Sequence, residues 1–426
     1  MTPTLSSEIQ FDYDSLGENL SERIGPWTIQ ARPWLASELD GWAPPPAADS
    51  NEVRRYPPPA IQRPLILVGG FAANGLHKID SEDGTSYLGQ QIWPPFHFNT
   101  ASGDWHLHGV AEVNQPGLLP TGLIIGQYEP LLHFLHQEMA YTPGRDFFLF
   151  PYRWTDSNLN SGRRLAGFLH QVVANYPWRA GQDQMCDVIC HSMGGLATRA
   201  AGLIFNAPLA RVIYLACPFF GAGKGYFNLH PAHGVQVVDN MLLNRIIDRL
   251  APEGNPLFGN TTALSECFQK MDSLFEMLPD RIGFQRGLCP VGIRRTLGQL
   301  PRPLESWQDV YLNEACSAFP EPLQAQVQRA MEFKERLGSD MPGTVFVTIY
   351  SAAHATVGRV DLAFEFSRFA LFGIPYDAAG GGDGSVPAVS GCGPGPAIEV
   401  HGRHLAVPNH RTTFYWISRF LNGTAA

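Results

Sequence analysis

Three side chains far apart along the chain have the types needed for nucleophilic catalysis: a serine at 192, an aspartate at 383 and a histidine near 404. Ser192 follows the apolar run Met185-Cys186-Asp187-Val188-Ile189-Cys190-His191 and precedes Met193-Gly194-Gly195-Leu196-Ala197. That order predicts a buried strand, a sharp turn and a helix. A serine at such a turn exposes its hydroxyl while its backbone takes a strained angle, so the residues around it must be small. Cys190 holds the first small position of a Gly-x-Ser-x-Gly pattern, and Gly194 the last. The competing reading is that Ser192 merely caps the helix that follows.

A serine hydroxyl is a weak nucleophile and needs a base, which in turn needs an orienting acid. Asp383 lies in Ala379-Gly380-Gly381-Gly382-Asp383-Gly384-Ser385-Val386-Pro387, where glycines let the chain turn and aim a carboxylate inward. Asp377 and Asp361 are weaker candidates, and Asp-Gly is also a common plain turn. Three histidines follow the last predicted strand: His401, His404 and His410. Position favours His404, on the connection to the final helix, and leaves the other two open. The developing oxyanion needs backbone donors, and the Gly69-Gly70 pair after the apolar run Pro64-Leu65-Ile66-Leu67-Val68 suits a close approach. Phe71 and Met193 amides are the candidates, although a glycine pair there also suits an ordinary strand-to-loop turn.

The elements that must position these groups are legible as apolar runs. Buried strands are predicted at 64–68, 147–150, 185–191, 211–217 and 345–350, with a short last one at 397–400. Helical patterns lie between them at 126–140 and 163–176, and after them at 412–421. Strands alternating with helices imply an α/β fold with a mostly parallel sheet. The stretch 72–121 reads as loop-rich. From 222 to 342 no strand of the buried kind appears, and helical patterns at 237–250, 263–278 and 323–337 predict an inserted cap over the site. The chain therefore divides into a proline-rich extension (1–63), the first part of a core (64–221), a helical cap (222–342) and the second part of the core (343–426).

Of the 426 residues, 44% are hydrophobic and 16% charged, which allows a large buried core. A net charge of −9 with no cluster of Lys and Arg excludes nucleic acid as a partner. No apolar run approaches the roughly 18 residues of a membrane span, and residues 1–10 do not read as a secretory signal, so a cytoplasmic location is expected. The seven cysteines are scattered without a C-x-x-C pair. His106-Leu107-His108 lacks a third ligand at a useful spacing, so neither a metal nor a cofactor is expected.

With these residues in view, the chain resembles the lecithin:cholesterol acyltransferase-like lipases of the α/β-hydrolase superfamily over about residues 64–420. Leu67-Val68-Gly69-Gly70-Phe71 is similar to the family's strand and oxyanion turn, and Gly144-Arg145-Asp146 with Pro151-Tyr152-Arg153-Trp154 to its Gly-(Lys/Arg)-Asp and Pro-Tyr-Asp-Trp signature. His191-Ser192-Met193-Gly194-Gly195, Ala216-Cys217-Pro218-Phe219-Phe220-Gly221 and Ser273-Leu274-Phe275-Glu276-Met277-Leu278-Pro279 follow in the family's order. Gly382-Asp383-Gly384-Ser385-Val386-Pro387 resembles the acid loop, and His404-Leu405-Ala406-Val407-Pro408-Asn409 the base segment. The resemblance implies an α/β-hydrolase fold and a Ser192–His404–Asp383 triad with Phe71 and Met193 as oxyanion donors. It also implies a lipid-like acyl-ester substrate, with contact between the cap and a lipid surface. A small-ester esterase, an amidase or an inactive binding protein on the same fold are the alternatives. Cys190, Arg153 and the lack of a cysteine pair between 70 and 120 depart from the family; the last removes the disulfide-closed lid of secreted members.

Overall fold

In this computed structural model the described residues run, with short gaps, over 61–229, 267–288, 321–338 and 341–423, together with Tyr56, 58–59, 293–294, 307–312 and Phe319. Six strands form the central sheet: β1 (Leu65–Val68), β2 (Phe147–Phe150), β3 (Cys186–His191), β4 (Leu209–Leu215), β5 (Val345–Tyr350) and β6 (Ala397–Glu399). Their order is β6-β5-β4-β3-β1-β2, and every neighbouring pair is parallel. Side chains alternate between two cores, as strand geometry requires. Ile66, Val68, Val188, Cys190, Val212 and Tyr214 face one. Leu65, Leu67, Ile189, Ile213, Leu215 and Ile349 face the other. Both faces of the central strands are covered, which is why β1 and β2 read as unbroken apolar runs and β3, β4 and β5 as largely apolar ones. This is the α/β-hydrolase arrangement that the sequence predicts, with the sheet flanked by helices.

The chain runs outward from β1 to β2, then returns to lay β3 on the other side of β1. The C-terminal ends of β1 and β3 therefore flank a switch in strand order, where such sheets open a crevice. Register brings those ends level, with Val68 opposite Cys190, so that Gly69-Gly70 lies beside His191-Ser192. On one face the helix Asn158–Asn175 is capped by Ser157 and packs closely on the helix Gly194–Leu203. A Cβ on Gly162 would come within 2.5 Å of the Ala200 Cβ. On the other face lie the helix Ile125–His133, its π-helical continuation Phe134–Glu138, and the last helix, Arg411–Leu421. Phe134 and Phe414 stack at 4.5 Å between them.

Two expectations are corrected. The stretch 72–121 is not loop-rich: it carries strands Asn74–Glu82, Thr85–Trp93, Phe96–Asn99, Asp104–Leu107 and Leu119–Leu123, paired antiparallel. A further antiparallel hairpin, Val357–Glu365 with Arg368–Pro375, follows β5. The strands between 74 and 123 carry polar residues among apolar ones and leave no continuous apolar run to read, whereas the hairpin holds the apolar run Phe369-Ala370-Leu371-Phe372, which lies outside the strands read from the sequence. The helix expected over 263–278 is broken, because Met271 takes extended backbone angles and only Asp272–Phe275 is helical after it. Within 222–342 a two-residue strand, Ile293–Arg294, pairs with Val357–Glu365. The helix Glu321–Arg336 forms close to the expected 323–337, and the pattern at 237–250 lies outside the described residues. No helix among the described residues is long and apolar enough to cross a membrane.

Candidate active site

Ser192 has φ +53°, the left-handed angle a sharp strand-to-helix turn imposes on a residue with a side chain. Its amide donates to Leu215 O at 2.8 Å, extending the β3–β4 ladder through the turn, while its carbonyl accepts Gly195 N at 3.0 Å. Two close approaches explain the glycines behind it. A Cβ on Gly194 would meet Gly69 O at 2.4 Å, and one on Gly195 would meet Cys217 Sγ at 2.3 Å. Cys190 sits earlier, in regular strand, where a small buried thiol fits.

His404 Nε2 lies 2.8 Å from Ser192 Oγ, and His404 Nδ1 lies 2.7 Å from Asp383 Oδ2. Ser192, His404 and Asp383 are 7%, 8% and 1% exposed, so all three are shielded from solvent. The other carboxylate oxygen, Oδ1, accepts the amides of Ser385 and Val386 at 2.9 and 2.6 Å. Two backbone bonds between His354 and Gly382 fasten that loop to the chain leaving β5. Gly384 completes the turn at φ +90°, its amide donating to Thr356 Oγ1 at 2.8 Å. His404 N donates to Asp383 O at 2.9 Å, tying the two backbones together.

Of the other two histidines, His401 is exposed, and His410 caps the last helix by accepting Thr412 N on Nδ1 at 3.2 Å. Asp361 is on the hairpin after β5, and Asp377 lies outside the described residues. Gly70 backs Ser192 so closely that a Cβ there would come within 2.8 Å of the Ser192 Cβ. The Gly70 amide is already used, donating to Tyr128 Oη at 3.1 Å. The Phe71 and Met193 amides have no acceptor among the described residues.

Several residues around this site had no role legible in sequence. Tyr152 donates to Gly69 O at 2.8 Å and lies 3.2 Å from Gly70 O, and Trp154 Nε1 donates to Asn74 O at 3.0 Å. The Pro-Tyr-Arg-Trp segment thus braces the turn after β1, while Arg153 points away to Gln115 O and Thr155. Asp146, buried, accepts Thr142 N, Arg145 and Gln62, and so shapes the turn into β2. The Phe71 ring meets Trp154 edge-on at 4.7 Å and Phe268, from the 222–342 stretch, at 6.4 Å. Asn409 Oδ1 accepts Leu131 N, and its amide donates to Gln127 O and Leu405 O, which pins the His404 loop to the helix Ile125–His133.

The architecture and the placing of these groups at the ends of β1, β3, β5 and β6 define an α/β-hydrolase fold. No family model and no curated protein matches the chain. Among solved structures, the Tle4–Tli4 complex superposes with a TM-score of 0.52 at 13% identity, over 86% of this chain and 98% of that one. The mature lipase BlEst2 of Bacillus licheniformis gives 0.36 at 10% identity, over 87% and 96%. The carboxylesterase CesB of Bacillus subtilis gives 0.34 at 8% identity, over 95% and 99%. What the chain shares with the first of these is the fold.

Proposed function

We propose that the chain is a serine hydrolase acting on lipid-like acyl esters, passing the acyl group to water or to an alcohol, and a distant relative of the lecithin:cholesterol acyltransferase-like lipases. The observation that carries this reading is the unbroken line of hydrogen bonds from Ser192 Oγ through His404 to Asp383 at a strained turn. Asp383, an acceptor, orients Nδ1–H toward itself and leaves Nε2 to take the serine proton. Ser192 Oγ attacks the acyl carbon as that proton moves. The oxyanion that forms accepts from the Phe71 and Met193 amides, each worth about 3 kcal/mol. His404 then gives its proton to the departing alkoxide, which leaves an acyl ester on Ser192. Water or an alcohol, deprotonated by the same nitrogen, attacks this ester, and His404 returns that proton to Ser192 Oγ as its bond to the acyl carbon breaks.

The lipid-like part of the reading is supported by the aromatic surround of the oxyanion turn, Phe71 with Trp154 and Phe268. Phe268 comes from the stretch proposed as the cap, and that stretch is the part proposed to meet a lipid surface. An alkyl fluorophosphonate should label the wild type and not Ser192→Ala; a folded wild type that stays unlabelled removes the enzymatic assignment. Turnover of p-nitrophenyl esters should rise with acyl length to about eight carbons or beyond, since each buried methylene adds about 1 kcal/mol of discrimination. Preference for acetate would leave the serine chemistry standing and end the lipid reading.

A further inference from the structure

His191 precedes the nucleophile, is buried, and has both ring nitrogens in use. Its Nε2 lies 3.1 Å from the carbonyl oxygen of His404, and a carbonyl only accepts, so Nε2 carries a proton. Burial, reinforced by the adjacent His404, holds the imidazole well below its ordinary pKa, which leaves Nδ1 bare. The Tyr128 hydroxyl, 2.8 Å away, therefore donates to Nδ1, and its oxygen accepts the Gly70 amide. Burial also pushes the Tyr128 phenol up, which keeps that donor in place. One direction of donation runs the whole way: Gly70 to Tyr128, Tyr128 to His191, His191 to His404.

The two ends of this chain are the two halves of the proposed site. Gly70 immediately precedes the oxyanion candidate Phe71, and His404 supplies the base. The imidazoles of His191 and His404 are 4.9 Å apart, so the strut runs alongside the Ser192–His404 contact. Tyr128 belongs to the helix that Asn409 also grips, which ties the base's loop to one element at two places. We infer that His191, with Tyr128, is a positioning residue that spaces the His404 backbone from the Gly69-Gly70 turn, keeping Nε2 aligned on Ser192 and the oxyanion donors opposite it. This rests on the roles proposed above for Ser192, His404 and Asp383.

His191→Phe keeps the ring volume but leaves the His404 carbonyl without this donor and the Tyr128 hydroxyl without its acceptor. Against wild type, His191→Phe should lose on the order of 10- to 100-fold in kcat and in the rate of fluorophosphonate labelling, with KM within about twofold. Tyr128→Phe should lose about 3- to 10-fold, and the double variant should be no worse than His191→Phe, because both remove one strut. His191→Gln, whose amide can donate to the His404 carbonyl, should recover part of the loss. Labelling of folded His191→Phe at the wild-type rate, or losses that multiply in the double variant, would overturn the inference and leave the serine assignment intact. A folded wild type unlabelled at Ser192 brings down the assignment and this inference together. Should His191→Phe fail to fold, nitrogen NMR of histidine-labelled wild type decides. The expected His191 is neutral and protonated on Nε2 alone at neutral pH, and a proton on Nδ1 contradicts it.

Discussion

Asp383 divides its carboxylate between two tasks: Oδ1 closes its own turn on the Ser385 and Val386 amides, and Oδ2 meets His404. Asp383→Asn preserves the first task and corrupts the second, since an amide nitrogen facing Nδ1 forces the wrong tautomer. A loss of about 10⁴-fold in kcat with little change in melting temperature is expected. Of the three histidine variants, His404→Ala should lose several orders of magnitude in turnover, because His404 alone reaches Ser192. His410→Ala should instead lose about 1 kcal/mol of stability, measured by denaturant titration, because it removes a helix cap. Reversal of those two outcomes would move the base to His410.

At the scale of elements, the elbow depends on how closely β1, β3 and the helix Gly194–Leu203 approach one another. Gly194→Ala would drive a methyl group into the backbone carbonyl of Gly69, which cannot swing aside as a side chain can. The variant should lose about 2 kcal/mol of stability and also turnover, because the displaced strand leads into Gly70 and the proposed oxyanion donor Phe71. Further down the same sheet, Asp187 on β3 lies opposite Arg211 on β4 and accepts its guanidinium, while burial raises the carboxyl's pKa and the arginine opposes that shift. Arg211→Ala strands a buried carboxylate and should cost about 3 kcal/mol in denaturant titration, with turnover of the folded fraction unchanged. Comparison of the two variants separates a strain that reaches the site from one that does not.

Across the whole molecule, the stretch 267–288 and the helix Glu321–Arg336 are tied to the core by buried polar groups. Glu276 accepts the Asn158 amide and side chain at the start of the helix Asn158–Asn175. Lys334 donates to Leu278 O and pairs with Asp280, and Arg199 donates to Leu337 O and Gly338 O. Gly221, at φ +96°, lets the chain leaving β4 pass against Leu278 and Pro279, where a Cβ would sit 2.4 Å from backbone. Burial raises the Glu276 carboxyl from 4.5 to about 8, against the pull of its Asn158 hydrogen bonds. The folded state therefore holds a proton that the unfolded chain releases between those values. This contribution to stability is whole below about pH 4.5 and is lost as the pH rises through about 8. Glu276→Gln lacks that loss, so its melting temperature relative to wild type should climb between about pH 5 and about pH 9. A constant difference over that range would show that Glu276 does not titrate in it.

The parallel strands could be read from the chain because a strand covered on both faces is largely apolar, as Leu65–Val68 and Phe147–Phe150 are throughout; the exposed edge strand Ala397–Glu399 is legible only as a short apolar pair before Glu399. The antiparallel strands at 74–123 could not, since polar and apolar residues are mixed in them, and in the hairpin after β5 only Phe369-Ala370-Leu371-Phe372 is a continuous apolar run. The serine and the aspartate stood out because their chemistry requires glycine nearby, at Gly194 and Gly195 for one and Gly382 and Gly384 for the other. Among His401, His404 and His410 the local sequence offers similar settings. Only the packing of the loop after β6, held by Asn409 and by His404's own amide on Asp383, brings one imidazole to Ser192. Tyr128 and His191 lie 63 residues apart in sequence and meet at 2.8 Å. Residue types and their local spacing determined which groups can do chemistry; contacts between residues remote in the chain decided which of them face one another, because distance in space is set by the fold and not by position along the backbone.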